Sequence, residues 1–163
     1  MVPFKAIRSA IVQELAAFLS VPVIEMNGGG EMPEQSFFTY DFTDFEDASG
    51  FPCEYLEGDI LRHEGTVSFT VSFLSFAENK ATSVENALLA RDWLKREGRD
   101  LLKDRVNVIV SEIGTIENRD VLLADEWERR QGFEVTFRTL DVTEREFIAI
   151  ERANVKGVEG FGG

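Results

Sequence analysis

Cysteine is almost missing from this sequence: Cys53 is the single one in 163 residues. A lone thiol excludes an intrachain disulfide and gives secretion no support. Long apolar runs are missing too, and no stretch approaches the ~20 residues that cross a bilayer as a helix. The opening Met1-Val2-Pro3-Phe4-Lys5 lacks the charged-then-apolar layout of a signal peptide, so the chain reads as cytosolic at synthesis. Basic residues are few, 17 Lys and Arg against 30 Asp and Glu, which leaves a net charge of −13. Such a surface repels a phosphate backbone, and tight DNA or RNA binding is disfavoured.

What is present begins with 44% hydrophobic residues, enough for an ordinary core. Phenylalanine dominates the aromatics, 14 against 2 Tyr and 2 Trp, and so many rings can serve a contact with another chain as well as a core. The length fits one domain, read as residues 1–156, followed by a flexible glycine-rich tail over 157–163. The negative charge is concentrated. From Asp41 to Glu64 there are eight acids and one base, Arg62, which is −7 in 24 residues. This segment, with Gly50, Pro52 and Gly58, reads as an acidic loop.

Periodicity orders the rest. Phe4, Ile7, Ile11, Leu15 and Phe18 recur at helical spacing and predict a helix over Pro3 to Leu19, ended by Ser20-Val21-Pro22. A short strand over Val21 to Met26 follows. Phe38, Tyr40 and Phe42 alternate with Thr39, Asp41 and Thr43 as a half-buried strand. Over Thr66 to Phe73 the alternation is cleaner, with Val67, Phe69, Val71 and Phe73 on the helix side and Ser68, Thr70 and Ser72 opposite. Thr82-Ser83-Val84-Glu85 has the form of a capping box and predicts a second helix over Ser83 to Glu97, ended or bent at Gly98. Strands are predicted at Val106 to Ile113 and at Phe133 to Asp141. The order α-β-β-β-α-β-β makes an α+β domain: two main helices packed on one face of an antiparallel or mixed β-sheet.

Sites for chemistry are hard to find. Gly28-Gly29-Gly30 follows a strand, as a phosphate loop does, but leads through Glu31 to Pro33 and another strand. No helix N-terminus receives a phosphate there, and Glu25 and Glu31 would repel one, so the glycines read as a flexible connection. His63 is the sole histidine and reads as an exposed structural residue; no motif ties it to Cys53 as a base to a nucleophile. A calcium loop counted from Asp44 places Ala48 at the fifth position and Tyr55 at the twelfth, which breaks the EF-hand pattern. Trp93 and Trp127 read as core or interface anchors. The residues therefore point to no catalytic group, cofactor or metal site.

Three stretches carry a resemblance. "PFKAIRSAIVQEL", "VPVIEMNGGGEMPEQSFFTYDFT" and "ADEWERRQGFEVTFR" resemble the neck or tail terminator proteins of long-tailed bacteriophages. The shared plan is an N-terminal helix, a short P-V-I strand, a proline-containing loop and an aromatic strand ending near Y-x-F-T. A late strand of the form E-R-R-x-G-F-E-V follows, here Glu128 to Val135. The resemblance covers about residues 3 to 141 and implies a structural virion protein of the tail or neck. In that family a ring, commonly of six copies, caps the tail tube and joins it to the head connector while DNA passes through without specific binding. On that reading Asp41, Asp44, Glu46, Asp47, Glu54, Glu57 and Asp59 are candidates for lining the channel or docking a neighbour. The competing reading is a small soluble ligand-binding or metal-dependent enzyme that uses Cys53, His63 and nearby carboxylates.

Overall fold

The apolar stripe of the first segment folds as expected. In a computed structural model, which describes residues 1–147, α1 (Phe4–Leu19) buries Ile7, Ala10, Ile11 and Leu15. It starts directly after Pro3 and stops at Ser20, whose left-handed backbone lets its N–H donate to the Ala16 carbonyl. The strands that follow are β1 (Val23–Glu25), β2 (Phe37–Asp47), β3 (Cys53–Glu57) and β4 (Ile60–Ala77). Next come α2 (Lys80–Lys95), α3 (Glu97–Val106), β5 (Ile109–Ile113), β6 (Glu117–Asn118), β7 (Val121–Leu123) and β8 (Glu126–Glu146).

The sheet runs β1-β2-β4-β8-β5, with β3 on β4 and both β6 and β7 on β8. All its pairings are antiparallel except β1 with β2, so the sheet is mixed. Its spine is the β4–β8 ladder, regular from Ile60↔Glu146 to Ala77↔Arg129. Along it Phe69, Val71 and Phe73 meet Phe137, Val135 and Phe133, and all six are fully buried. They form one core with Ile7, Ile11 and Leu15 of α1, Ala87, Ala90, Trp93 and Leu94 of α2, and Leu102 of α3. All three helices therefore cover one face. The register expected for Phe69, Val71 and Phe73 holds, with Ser68, Thr70 and Ser72 on the opposite, helix-free face.

Several expectations need correction. The acidic segment is not a loop: Asp41, Asp44, Glu46 and Asp47 lie on β2, Glu54 and Glu57 on β3, and Glu64 on β4. Cross-strand pairing holds it extended, and only Ala48–Pro52 and Gly58–Asp59 turn. The capping box is not used. Asn79 caps α2 by accepting from the Thr82 N–H at 2.9 Å, which starts the helix at Lys80. Ser83 is instead buried, and its hydroxyl and that of Ser75 each donate to the other's carbonyl, at 2.8 and 2.9 Å, fastening α2 to β4. A third helix, α3, occupies Glu97–Val106, and the strand expected from Val106 starts only at Ile109. Gly98 lies inside α3 after a sharp turn at Arg96 (φ −124, ψ −104), so the bend precedes it. Of the tryptophans, Trp93 is core and Trp127 is exposed. The proposed tail at 157–163 lies outside the described residues.

The glycines take on a structural reason. Because β1 and β2 run parallel and adjacent, the chain from Met26 to Ser36 must travel back alongside them before starting β2. It crosses the helix-free face over Phe37, Leu74 and Phe76, with Ile24 and Met26 packed beneath, and leaves a groove of about 560 Å³. Gly29 takes φ +78 on this path, where a side chain would be strained.

Candidate functional site: the helix-free face of the sheet

A regular strand would split the acids of β2 between two faces. Simple alternation from Asp41 would send Thr43, Phe45 and Asp47 to the same side as Asp41. A bulge at Thr43 changes this, because the pairing steps from Phe42↔Val71 to Asp44↔Thr70. Phe42 and Phe45 then both turn to the core, each stacking on Phe69 at 5.7 and 5.6 Å. Asp41, Asp44 and Glu46 all turn to the helix-free face, opposite Ser72, Thr70 and Ser68. On β8 the same register adds Glu134, Thr136 and Arg138 to this face, and β5 adds Glu112. The result is a band of carboxylates and hydroxyls on a sheet surface that no helix covers.

The other candidate acids sit elsewhere. Asp47 pairs with Val67 and falls on the helix side of the strand. Glu54 also falls there, where its carboxylate meets His63 Nδ1 at 3.1 Å. Glu57 lies on the helix-free side but at the far end of the sheet, taken up by Arg62, 2.7 Å away; Arg62 holds Glu144 at 3.0 Å, so this triad ties β3, β4 and β8 together. Asp59 sits in the β3–β4 turn, where its carbonyl accepts from the Phe147 N–H. The structure thus brings Asp41, Asp44 and Glu46 together and leaves Asp47, Glu54, Glu57 and Asp59 apart from them.

Cys53 and His63 both line a hollow of about 420 Å³ closed on one side by the Ala48–Pro52 turn. His63 is half-buried rather than exposed and its Nδ1 faces Glu54, while Cys53 is exposed. Among the described residues no three His, Cys, Asp or Glu side chains gather as a metal would require. No helix among them is long and apolar enough to cross a membrane.

One carboxylate is strongly engaged away from that face. Asp120, between β6 and β7, has a side chain only 5% exposed; it accepts from the Arg130 N–H at 2.8 Å and pairs with Arg129 at 3.0 Å. Burial by itself raises its pKa, but the bonds from Arg130 and Arg129 and the charges of Arg129 and Lys80 outweigh this and hold it below the ordinary 3.8. A depressed carboxyl stabilises the fold above its unfolded pKa and loses that contribution as pH falls through the folded value. Between roughly pH 5 and pH 2 the native chain should therefore lose more unfolding free energy than Asp120→Asn, as read by urea titration at each pH. Parallel pH curves for the two proteins would refute this role for Asp120.

The family described as Phage neck terminator protein matches residues 5–163. The chain belongs to that family. Neck terminators are structural proteins, and membership gives this chain a structural role in the tail or neck of a phage particle. Comparison with curated proteins gave no match. The neck terminator fold thus presents a helix-covered face packed by its phenylalanines and a bare face edged in acids. Sequence reading missed the bulge that aligns those acids. Its one signal was the spacing of Phe42 and Phe45, three apart in a run that otherwise alternates.

Proposed function

We propose that copies of this chain close into a ring, six as the family resemblance implies, which caps the tail tube and joins it to the head connector. The helix-free face of each sheet turns to the DNA path and the helices turn outward. The observation that carries this reading is the shared face of Asp41, Asp44 and Glu46, interleaved with Ser68, Thr70 and Ser72. DNA presents about one charge per 1.7 Å of axis, and a basic lining would hold it; a lining of carboxylates and small hydroxyls leaves each phosphate in its own counterion and water shell. Repetition around a ring multiplies a small local bias.

Charge reversal tests it. Particles carrying Asp41→Lys, Asp44→Lys and Glu46→Lys together should assemble complete tails but eject DNA several-fold more slowly, with the largest deficit at low salt, where screening is weakest. Ejection at the native rate from normal particles would place this face outside the channel. Tails that no longer join heads would mark it as a docking surface instead.

A further inference from the structure

Among the described residues the sheet is open on both sides of its β4–β8 spine, and β3 and β5 are edge strands on opposite sides. On one side β3 pairs among the described residues only with β4, and all five of its residues are exposed. On the other, β5 pairs among the described residues only with β8. An open edge displays unpaired N–H and C=O groups, and proteins usually blunt it. The free half of β2 is blunted by the Thr43 bulge and its acids. By contrast β3 pairs regularly from Cys53↔Glu64 to Glu57↔Ile60, and it offers Tyr55 (39% exposed) and Leu56 (53%) to solvent. The bulge of β5, at Ser111, is closed toward β8 by a hydroxyl bond to the Thr136 carbonyl at 2.9 Å, leaving the outer side of the strand open.

The two edges are complementary in chemistry. Between β5 and the helices lies a hollow of about 310 Å³, floored by Leu94, Val110 and Ile113, flanked by Lys95 and Arg99, and bordered along β5 by Ser111 and Glu112. Lys95 has no ion pair among the described residues, and Arg99 pairs only with its exposed chain neighbour Asp100. Residues 91–105 around it hold six bases against four acids in a chain of net charge −13. On β3, the register with Leu61 and His63 turns Leu56 and Glu54 toward the same helix side of the sheet as that hollow. An apolar side chain and a carboxylate on one edge, Leu56 and the Glu54 that also meets His63, thus match the Leu94, Val110 and Ile113 floor and the Lys95 and Arg99 flank of the hollow on the other, where Glu112 leaves one cation in excess.

We propose that β3 of one copy adds to β5 of the next, so that Leu56 enters the hollow and Glu54 meets Lys95 and Arg99. This rests on the ring reading above and names its joint. Strand addition supplies main-chain hydrogen bonds, and the paired side chains fix the partner. Because the two edges are different surfaces on opposite sides, the contact is head-to-tail, the type that closes into rings. The joint also carries the helix-free face of one sheet into the next.

The unique cysteine makes the test direct. Cys53 faces the helix-free side of β3, and Ile109 and Glu112 face that side of β5. In particles carrying Ile109→Cys or Glu112→Cys, mild oxidation should cross-link Cys53 to the new thiol and give a ladder of dimers and higher species. Cys53→Ala should abolish the ladder, and Leu122→Cys on exposed β7 should not produce one. In parallel, Glu54→Lys alone, or Lys95→Glu with Arg99→Glu, should lower particle yield roughly tenfold, and the combined charge swap should restore it. Necks that show a ring but yield no ladder from either variant would overturn this joint and leave the ring standing. Necks without a ring of this chain would overturn both. Failure of the charge swap to restore yield would remove Glu54, Lys95 and Arg99 from the joint.

Discussion

Phe69→Ala is expected to cost about 3–5 kcal/mol of unfolding free energy, more than any other single truncation in the sheet. Phe69 is completely buried and stands at the crossing of three ring contacts, with Phe42 at 5.7 Å, Phe45 at 5.6 Å and Phe137 at 5.3 Å. Removing its ring takes away apolar burial and leaves a void between β2 and β8. The backbone of β4 cannot move in to fill it, because its neighbours pair on both sides. A domain of this size commonly has about 5–15 kcal/mol in all, so the variant should melt roughly 10 °C lower and approach the limit of folding. Phe45→Ala is the matched control. Phe45 touches the same ring but is 49% exposed, and its loss should cost about 1 kcal/mol. Equal losses for the two, measured by urea unfolding followed by circular dichroism, would mean that the stack does not centre on Phe69.

Gly98→Ala should run against the usual rule. Inside an unobstructed helix the change from glycine to alanine stabilises by about 1 kcal/mol. Here a Cβ on residue 98 would stand 2.5 Å from Cδ2 of Trp93 and 2.6 Å from Cε2 and Cε3. The indole is 3% exposed, with the Phe18 ring stacked 6.1 Å away, so it cannot swing clear. The net effect should be a loss of about 1–3 kcal/mol, the usual cost of overpacking a filled core. Trp93→Phe should relieve it, and in the double variant Gly98→Ala should cost far less than it does alone. Additive losses would place the strain elsewhere. The same geometry explains why α3 can fold back over α2 directly after Arg96: the first turn of α3 lies on the flat of the indole, with no side chain between them.

Most of the architecture was legible where one face is apolar and the other polar. The alternation at Val67–Phe73 and Phe133–Phe137 fixed the strand faces, and the stripe from Phe4 to Leu15 fixed α1. The failures share a cause: local signals weaker than tertiary pairing. Asp41 to Glu64 looks like a loop by charge, but pairing with β4 and β8 holds it extended. Thr82-Ser83-Val84-Glu85 looks like a helix start, yet Asn79 caps three residues earlier and Ser83 is drawn into a buried exchange with Ser75. Helix α3 is short and strongly charged, with a glycine at its second residue, so its sequence argues against a helix; packing of Leu102 into the core forms it. The acidic character of the candidate face was visible, but its membership was not, because a single extra residue at Thr43 decides which carboxylates share a side.

The β4–β8 ladder has a consequence for how the chain is made. Its partners lie from 52 residues apart at Ala77↔Arg129 to 86 apart at Ile60↔Glu146, so the spine of the sheet is built wholly from distant pairings. Such topologies fold slowly, on the order of milliseconds to seconds, because chain closure precedes any gain from contact. During synthesis at about 5–20 residues per second, β4 is complete several seconds before β8 exists. For that interval the row Phe69, Val71 and Phe73 has β2 on one side and nothing on the other. The hydroxyls and carboxylates alternating with that row, Ser68, Thr70 and Ser72 on β4 and Asp41, Asp44 and Glu46 on β2, keep the unfinished sheet dispersed on one face. They act as gatekeepers of the nascent chain before the fold is complete.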